Sequence, residues 1–387
     1  MFFGSVSERE FMKKPFFFYL IAFTAIFIAG CAGDNQNEIL IGEYSSLTGT
    51  TATFGQSTHH GVQMAVDEVN GRGDLLGKKV KLLTEDTQSK PEEAASAVNK
   101  LITLNKVKAV IGEVASSRSL AAAPICQSNG IPMVSPSSTN PAVTQKGDYI
   151  FRVCYIDPFQ GEVIAKFSFN TLGSRKAAIL KDVKNDYSIG LAQFFEKTFK
   201  ELGGEIVAVQ AYSEGDTDFK AQLTALKAGN PDVIMVPGYY TEVALIVKQA
   251  RELNMNMPFV GGDGWDSAKL TEIGGAAMEN TFFATAYTPD DTNFVVRNFV
   301  TKYKTLYNET PDALAALGYD AGHILLDAIR RAGSTDGKAI RDALAATRDF
   351  IGVTGTISID QDRNARKSAV ILAVKDGKTQ YKETILP

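Results

Sequence analysis

The chain has 387 residues, with 40 Lys and Arg against 44 Asp and Glu and a formal net charge of −4. No lysine or arginine block breaks this balance, so the basic surface that phosphate neutralisation needs is missing and no nucleic-acid partner is expected. Hydrophobic residues at 44% and charged residues at 22% are ordinary for a folded soluble protein, and the length suits about two domains rather than one compact core.

The first element is Lys13-Lys14 followed by an apolar run from Pro15 to Gly30 that ends Ile28-Ala29-Gly30-Cys31. Such a run falls short of the ~20 apolar residues of a comfortable membrane span. Two cations, a short apolar segment and small residues before a cysteine read as a secretory signal of the lipoprotein type over residues 1–30. Cleavage before Cys31 would leave a thiol that carries the lipid and tethers a soluble body outside the cytoplasm. An uncleaved anchor fits the small-small-Cys ending less well. Met12 is the natural start, which makes residues 1–11 a non-native extension. Residues 31–37 are small and polar and read as a tether. Two further cysteines, Cys126 and Cys154, could pair in an oxidising compartment; the apolar context of each favours two separate buried thiols.

Beyond the tether, strand and helix patterns alternate. Strand Ile39–Gly42 precedes a helix over Gln56–Asn70, with Val62, Ala65, Val66 and Val69 at helical spacing. Strand Val80–Leu83 is followed by a helix that opens at Ser89-Lys90-Pro91-Glu92-Glu93, with proline and acids in its first turn. Strand Ala109–Gly112, helix Ser117–Asn129 and strand Pro132–Ser135 complete a first cycle. After Phe151–Tyr155 a second cycle takes helix Gln160–Thr171, strand Ala177–Leu180, helix Ser188–Leu202, strand Glu205–Tyr212 and helix Phe219–Lys227. Strand Val233–Val236, helix Glu242–Leu253 and strand Phe259–Gly261 close it. Helices over Asp291–Leu306, Ala313–Ala332 and Lys338–Ala346 lead to strand Thr354–Ile359 and a hairpin, Ser368–Val374 with Thr379–Ile385, around Asp376-Gly377. Strands separated by helices imply βαβ crossovers. The fold class is therefore α/β, with two doubly wound parallel-sheet lobes.

Catalytic constellations are sparse. His59, His60 and His323 sit at or within helices and read as surface or packing residues. No HExxH or CxxC pair offers a metal site, and no GxSxG elbow is present. Gly71–Lys79 lacks phosphate-loop spacing, and Gly261-Gly262-Asp263-Gly264 lacks the third dinucleotide-binding glycine. The chain reads as a binder and not an enzyme, with no catalytic residue, metal or cofactor expected.

Polar clusters do fall at the carboxyl ends of strands, where open α/β sheets bind ligands. Glu113-Val114-Ala115-Ser116-Ser117-Arg118-Ser119 leads into a helix, where hydroxyls and free N–H groups can hold a carboxylate or Ser116 or Ser117 can simply cap the helix. Pro136-Ser137-Ser138-Thr139-Asn140-Pro141 offers more hydroxyls at the same edge, or plain turn chemistry. In the second cycle Asp186-Tyr187-Ser188, Gly238-Tyr239-Tyr240-Thr241 and Gly262-Asp263-Gly264-Trp265-Asp266 follow strands. Asp263 is either a turn residue or an acceptor for a ligand ammonium, with aromatic rings to wall a cleft. Hydroxyls on one lobe and a carboxylate on the other would suit a small zwitterion.

These residues, taken in order, carry a resemblance. Leu47-Thr48-Gly49 with Phe54-Gly55, Gly61–Asn70, Ile111-Gly112 with Ser116-Ser117, Ser135–Pro141, Phe151-Arg152, Gly238-Tyr239 and Gly318-Tyr319-Asp320-Ala321 resemble the branched-chain amino-acid-binding proteins of ABC importers, the leucine/isoleucine/valine receptor family with the type I periplasmic-binding fold. The resemblance implies two lobes joined by a three-strand hinge, with residues 38–156 plus 286–352 in one and 157–285 plus 353–387 in the other. It implies that Ser116, Ser137 and Thr139 hold the ligand's carboxylate, that Asp263 and polar atoms of the Ser137–Thr139 loop hold its ammonium, and that Phe54, Tyr187 and Tyr239 wall the cleft. The partners it implies are a small amino acid, Leu, Ile or Val foremost, and an ABC permease, with the receptor a monomer anchored through Cys31. A sensory ligand-binding module, or a receptor for another amino acid, an amide or a small aromatic acid, is the alternative. Asp263 stands where a glutamate is found in well-known members. Arg118 either pairs with a second ligand carboxylate or projects from its helix, and Trp265 adds a large ring near the cleft.

Overall fold

A computed structural model describes residues 37–386 apart from Asp74. The signal segment, Cys31 and nearly all of the tether lie outside the described residues. The first layer is built from β1 (Glu38–Ser45), α1 (Ala52–Arg72), β2 (Lys79–Asp86), α2 (Pro91–Thr103), β3 (Ala109–Ile111), α3 (Ser116–Ser128), β4 (Met133–Ser135) and β5 (Ile150–Arg152). Its five strands are parallel in the order β2-β1-β3-β4-β5. Short strands such as β3 and β4 are buried throughout, which is why they appear in the sequence as uninterrupted apolar runs.

The chain crosses at residues 153–156 into α4 (Asp157–Lys166), β6 (Lys176–Asp182), α5 (Asp186–Glu201), β7 (Glu205–Tyr212), α6 (Lys220–Ala228), β8 (Val233–Met235), α7 (Tyr240–Glu252), β9 (Phe259–Gly261), α8 (Ala268–Gly274) and β10 (Thr281–Thr285). It returns through Ala286-Tyr287 to α9 (Phe294–Tyr307), α10 (Ala313–Ala332), α11 (Gly337–Ala345), β11 (Phe350–Gly352), β12 (Gly355–Ile359) and β13 (Ala365–Arg366), and ends in the hairpin β14 (Ala369–Lys375) and β15 (Lys378–Ile385). The second sheet has the order β15-β14-β10-β9-β8-β6-β7, and among its described strands only β14 runs against the others, pairing antiparallel with β10 and β15. The α/β class and doubly wound sheets match the reading of the sequence.

The third crossing falls later than the resemblance implies. Strands β11, β12 and β13 form their own small sheet. It is tied to the first layer: Ile359 N donates to Thr347 O (3.1 Å), Arg152 N to Arg363 O (3.2 Å), and the Thr144 hydroxyl to Asn364 Oδ1 (3.2 Å). The Asp320 carboxylate of α10 accepts from Val353 N (2.8 Å) and Thr354 N (2.9 Å). The chain thus reaches the seven-stranded sheet only at Lys367-Ser368, and residues 353–366 pack with the first layer.

Helices α1 and α10 pack at backbone distance. A Cβ on Gly61 would sit 2.0 Å from Ala315 O, and one on Gly318 would sit 2.4 Å from Thr58 O. Only glycine permits that approach, which accounts for both glycines of the motif. Cys126 and Cys154 are buried and free.

Candidate ligand-binding site

The loops at the carboxyl ends of the two parallel sheets face one another, the position that open α/β sheets use for ligands. On the first sheet, the turn after β4 is fastened from two directions. The hydroxyls of Ser135 and Ser138 both donate to Glu113 O (2.8 Å each), and Ser138 N donates to Ser135 Oγ (2.9 Å). From beneath, the Arg152 guanidinium donates to Ser138 O and to Asn140 O, the latter at 2.9 Å. This scaffold presents Ser137 and Thr139. Ser116 opens α3 and accepts from Asn140 N (3.2 Å), which joins the two hydroxyl-bearing loops. The helix carries no side-chain cap at Ala115, so neither Ser116 nor Ser117 is spent on capping. Ser117 instead bonds Asp186 of the opposite sheet, donating to Oδ2 (2.8 Å) and accepting from its N–H (3.0 Å).

On the second sheet, Asn185 caps α5 by accepting from Tyr187 N (3.0 Å). That fixes the Tyr187 ring flat against Tyr239, with centroids 5.5 Å apart and planes 9° from parallel. Phe54, from the first turn of α1, meets Tyr239 edge-on at 5.4 Å across the gap. Asp263 follows β9. Its Oδ1 accepts from Gln160 Nε2 (2.8 Å) and its Oδ2 from the Ser137 hydroxyl of the facing loop (3.3 Å). Burial pushes this carboxyl up to about 6, an effect that hydrogen bonds from Gln160, Tyr187 and Ser137 partly offset.

Phe54, Ser116, Ser137, Thr139, Tyr187, Tyr239 and Asp263, the seven side chains expected at the site, line a single cavity with about 230 Å³ of space free of protein atoms. Val114, Gly264 and Leu314 complete its wall. Val114 and Gly264 lie within loops the sequence marked, whereas nothing distinguished Leu314 from any other apolar residue of α10. The cavity is polar at two ends and apolar between them. Ser116, Ser137, Thr139 and the amino end of α3 favour an anion, Asp263 favours a cation, and Phe54, Val114, Tyr239 and Leu314 offer an apolar lining. The Thr139 hydroxyl is buried beside the Asp157 carboxyl. Larger open grooves flank Tyr287, with about 940 and 1000 Å³ of empty space, but none of the seven residues lines them.

Two side chains sit elsewhere than expected. Arg118 neither projects from its helix nor lines the cavity. It is buried, donating to Thr51 Oγ1 and Ser89 O (2.8 Å each), and stands 3.7 Å from Glu113 and 3.6 Å from Glu214. With two carboxylates and two oxygens around it, its charge is already answered. Trp265 is core: it is wholly buried, its indole N–H donates to Val236 O (2.9 Å), and it lies against Gly261 instead of the cleft. Sequence reasoning also passed over Gln160 and Asp157. Asp157 is fully buried, and burial pushes it up to about 8, an effect that the Thr139 hydroxyl and the Arg152 charge partly offset.

This fold and this two-ended cavity define a solute-binding protein of the periplasmic type. The family model described as "Periplasmic binding protein" matches residues 38–379, and the chain belongs to that family. The "Leu/Ile/Val-binding protein BraC3" of Rhizobium johnstonii is 32% identical over 323 residues, covering 83% of this chain and 87% of that protein. Among solved structures, a leucine-binding protein LivK from Thermotoga maritima is 45% identical with a TM-score of 0.87, covering 90% of this chain and 99% of the other. The branched-chain amino acid transporter substrate-binding protein LivJ from Streptococcus pneumoniae, in complex with isoleucine, is 36% identical with a TM-score of 0.86, covering 90% and 100%.

Proposed function

We propose that this protein is the extracytoplasmic receptor of an ABC importer for a small amino acid, with leucine, isoleucine and valine the foremost ligands. In this reading Ser116, Ser137 and Thr139 take the carboxylate, Asp263 takes the ammonium, and the side chain lies against Phe54, Val114, Tyr239 and Leu314. The lobes close on the ligand, an ABC permease receives it, and no bond of the ligand is made or broken. A lipid on Cys31 holds the monomeric receptor at the membrane; among the described residues no helix is long and apolar enough to cross one.

One observation carries this reading: hydroxyls from the first sheet and a carboxylate from the second meet across a single cavity. Burial strengthens both ends, because charge-assisted hydrogen bonds are worth most where water is excluded. The leucine-binding and isoleucine-bound structures that it resembles support the ligand class. Arg118, already bonded and outside the cavity lining, is not free to meet a second ligand carboxylate, which argues against acidic amino acids.

The test is a thermal-shift and calorimetric screen of purified protein against free amino acids, amides and aromatic acids. Leucine, isoleucine or valine at 100 times Kd should stabilise the fold by about 2.7 kcal/mol, and Asp263→Ala should remove the effect. Stabilisation by an aromatic acid and by no amino acid would replace the ammonium-binding assignment of Asp263.

A further inference from the structure

Asp263 has an unusual neighbour. Gln160, in the first turns of α4, is fully buried, and its amide nitrogen donates both to Asp263 Oδ1 (2.8 Å) and to the Tyr155 hydroxyl (3.0 Å). Its amide oxygen has no partner. The loop admits this approach because position 262 is glycine: a Cβ there would lie 2.6 Å from Gln160 Oε1 and 2.5 Å from the Tyr187 hydroxyl. That hydroxyl accepts from Gly264 N (3.2 Å) and so holds the same loop from the other side.

The three groups that bond the Asp263 carboxylate divide by origin. Ser137 comes from the first sheet, whereas Gln160 and Tyr187 come from the layer that carries Asp263 itself. Separation of the lobes removes Ser137 and leaves the other two in place. An amide is also the donor that orients a carboxylate without cancelling its charge, since a lysine or arginine there would occupy the position that a ligand ammonium must fill.

We propose that Gln160 is a positioning residue for ligand capture, holding the Asp263 carboxylate turned into the cavity and ready for an ammonium before the hydroxyl wall arrives. The inference rests on the amino-acid-receptor reading above. The carboxylate is held by a neutral donor anchored on Tyr155, so its orientation precedes closure. The titratable groups that face Asp263 are Asp157 on α4, Asp266 in its own loop, the phenols of Tyr155 and Tyr187, and the Cys154 thiol. The hydrogen bond from Gln160 favours the ionised form of Asp263 against its burial.

Calorimetric titration of leucine from pH 4.5 to 9, on the wild type and on Gln160→Met and Gln160→Glu, tests this. In the wild type, affinity should fall as pH drops through about 6. Gln160→Met should weaken binding roughly 10- to 100-fold at pH 7.5, as expected for loss of a hydrogen bond to a charged group, and move the acid-side midpoint upward. Gln160→Glu keeps the side chain's shape and stands in if the methionine variant fails to fold. It should move the midpoint further up, because two adjoining carboxyls share a proton. An unmoved midpoint, with or without lost affinity, would reduce Gln160 to packing and overturn the proposal. Wild-type protein that binds no amino acid would sink the receptor reading and this one together, whereas normal wild-type binding with unaltered variants sinks this one alone.

Discussion

The two walls of the cavity solve opposite problems in different ways. In the proposed reading the first sheet meets an anion with several neutral donors, Ser116, Ser137 and Thr139, each presented by a loop that other bonds hold in place. The second would meet a cation with one carboxylate, Asp263, at a visible cost, since burial raises it to about 6. On that reading, recognition of the anion is distributed, and recognition of the cation is concentrated.

The sharpest way to break that comparison is Asp263→Ala. Removing one partner of a buried charge pair costs about 3–5 kcal/mol, so leucine affinity should fall by a factor of several hundred in calorimetry. A loss of tenfold or less would mean the cation end is shared after all. Thr139→Val and Ser116→Ala come next. Each removes one neutral donor to a charged carboxylate, worth about 1.5–3 kcal/mol, so each should raise Kd by roughly 10- to 100-fold, and a complete loss from either would contradict distributed recognition.

Stability against pH gives a third test. Asp157, raised to about 8, and Asp263, raised to about 6, hold protons in the fold that the unfolded chain releases at lower pH. The stability they contribute is present below pH ~4 and is lost as pH rises through about 6 and then about 8. The ligand-free protein should therefore melt at a higher temperature at pH 5 than at pH 8.5, and Asp157→Asn should flatten that slope. The smallest effect is expected outside the cavity. Glu214 accepts from the Thr50 hydroxyl (2.6 Å) and stands 3.6 Å from Arg118, joining loops of the two sheets where it is 30% exposed. Glu214→Gln should weaken leucine by roughly two- to threefold, in the range of a solvent-screened pair, and the loss should shrink at high salt.

Much of this was readable from the residues. Helix Ala313–Ala332 and strand Glu205–Tyr212 occur with the limits their patterns indicate, because long periodic or alternating segments encode their own partners. Strand β10 went unseen, a five-residue run whose neighbours on the sheet, β9 and β14, are not adjacent to it in sequence. So did β11 and β13, which exist only because β12 pairs with both. All seven expected residues reach the cavity because each follows a strand end, where topology alone directs loops to a common edge. The fate of Arg118 was hidden for the opposite reason: Thr51, Ser89, Glu113 and Glu214 come from four separate loops. Gln160 was equally hidden, since a glutamine on an apolar helix carries no mark of the acid it touches.

Cys126 and Cys154 lie in the interior as separate thiols, each pushed up to about 12 by burial. Maleimide dyes, which attack thiolates, should pass both by at neutral pH. In a soluble form that begins after Cys31, cysteines placed at Thr48 and Asp216, exposed residues near the Thr50–Glu214 contact, would become the reactive handles. On the proposed reading, the protein can therefore carry a donor and an acceptor fluorophore across its mouth with the native thiols untouched, and report amino-acid capture as light.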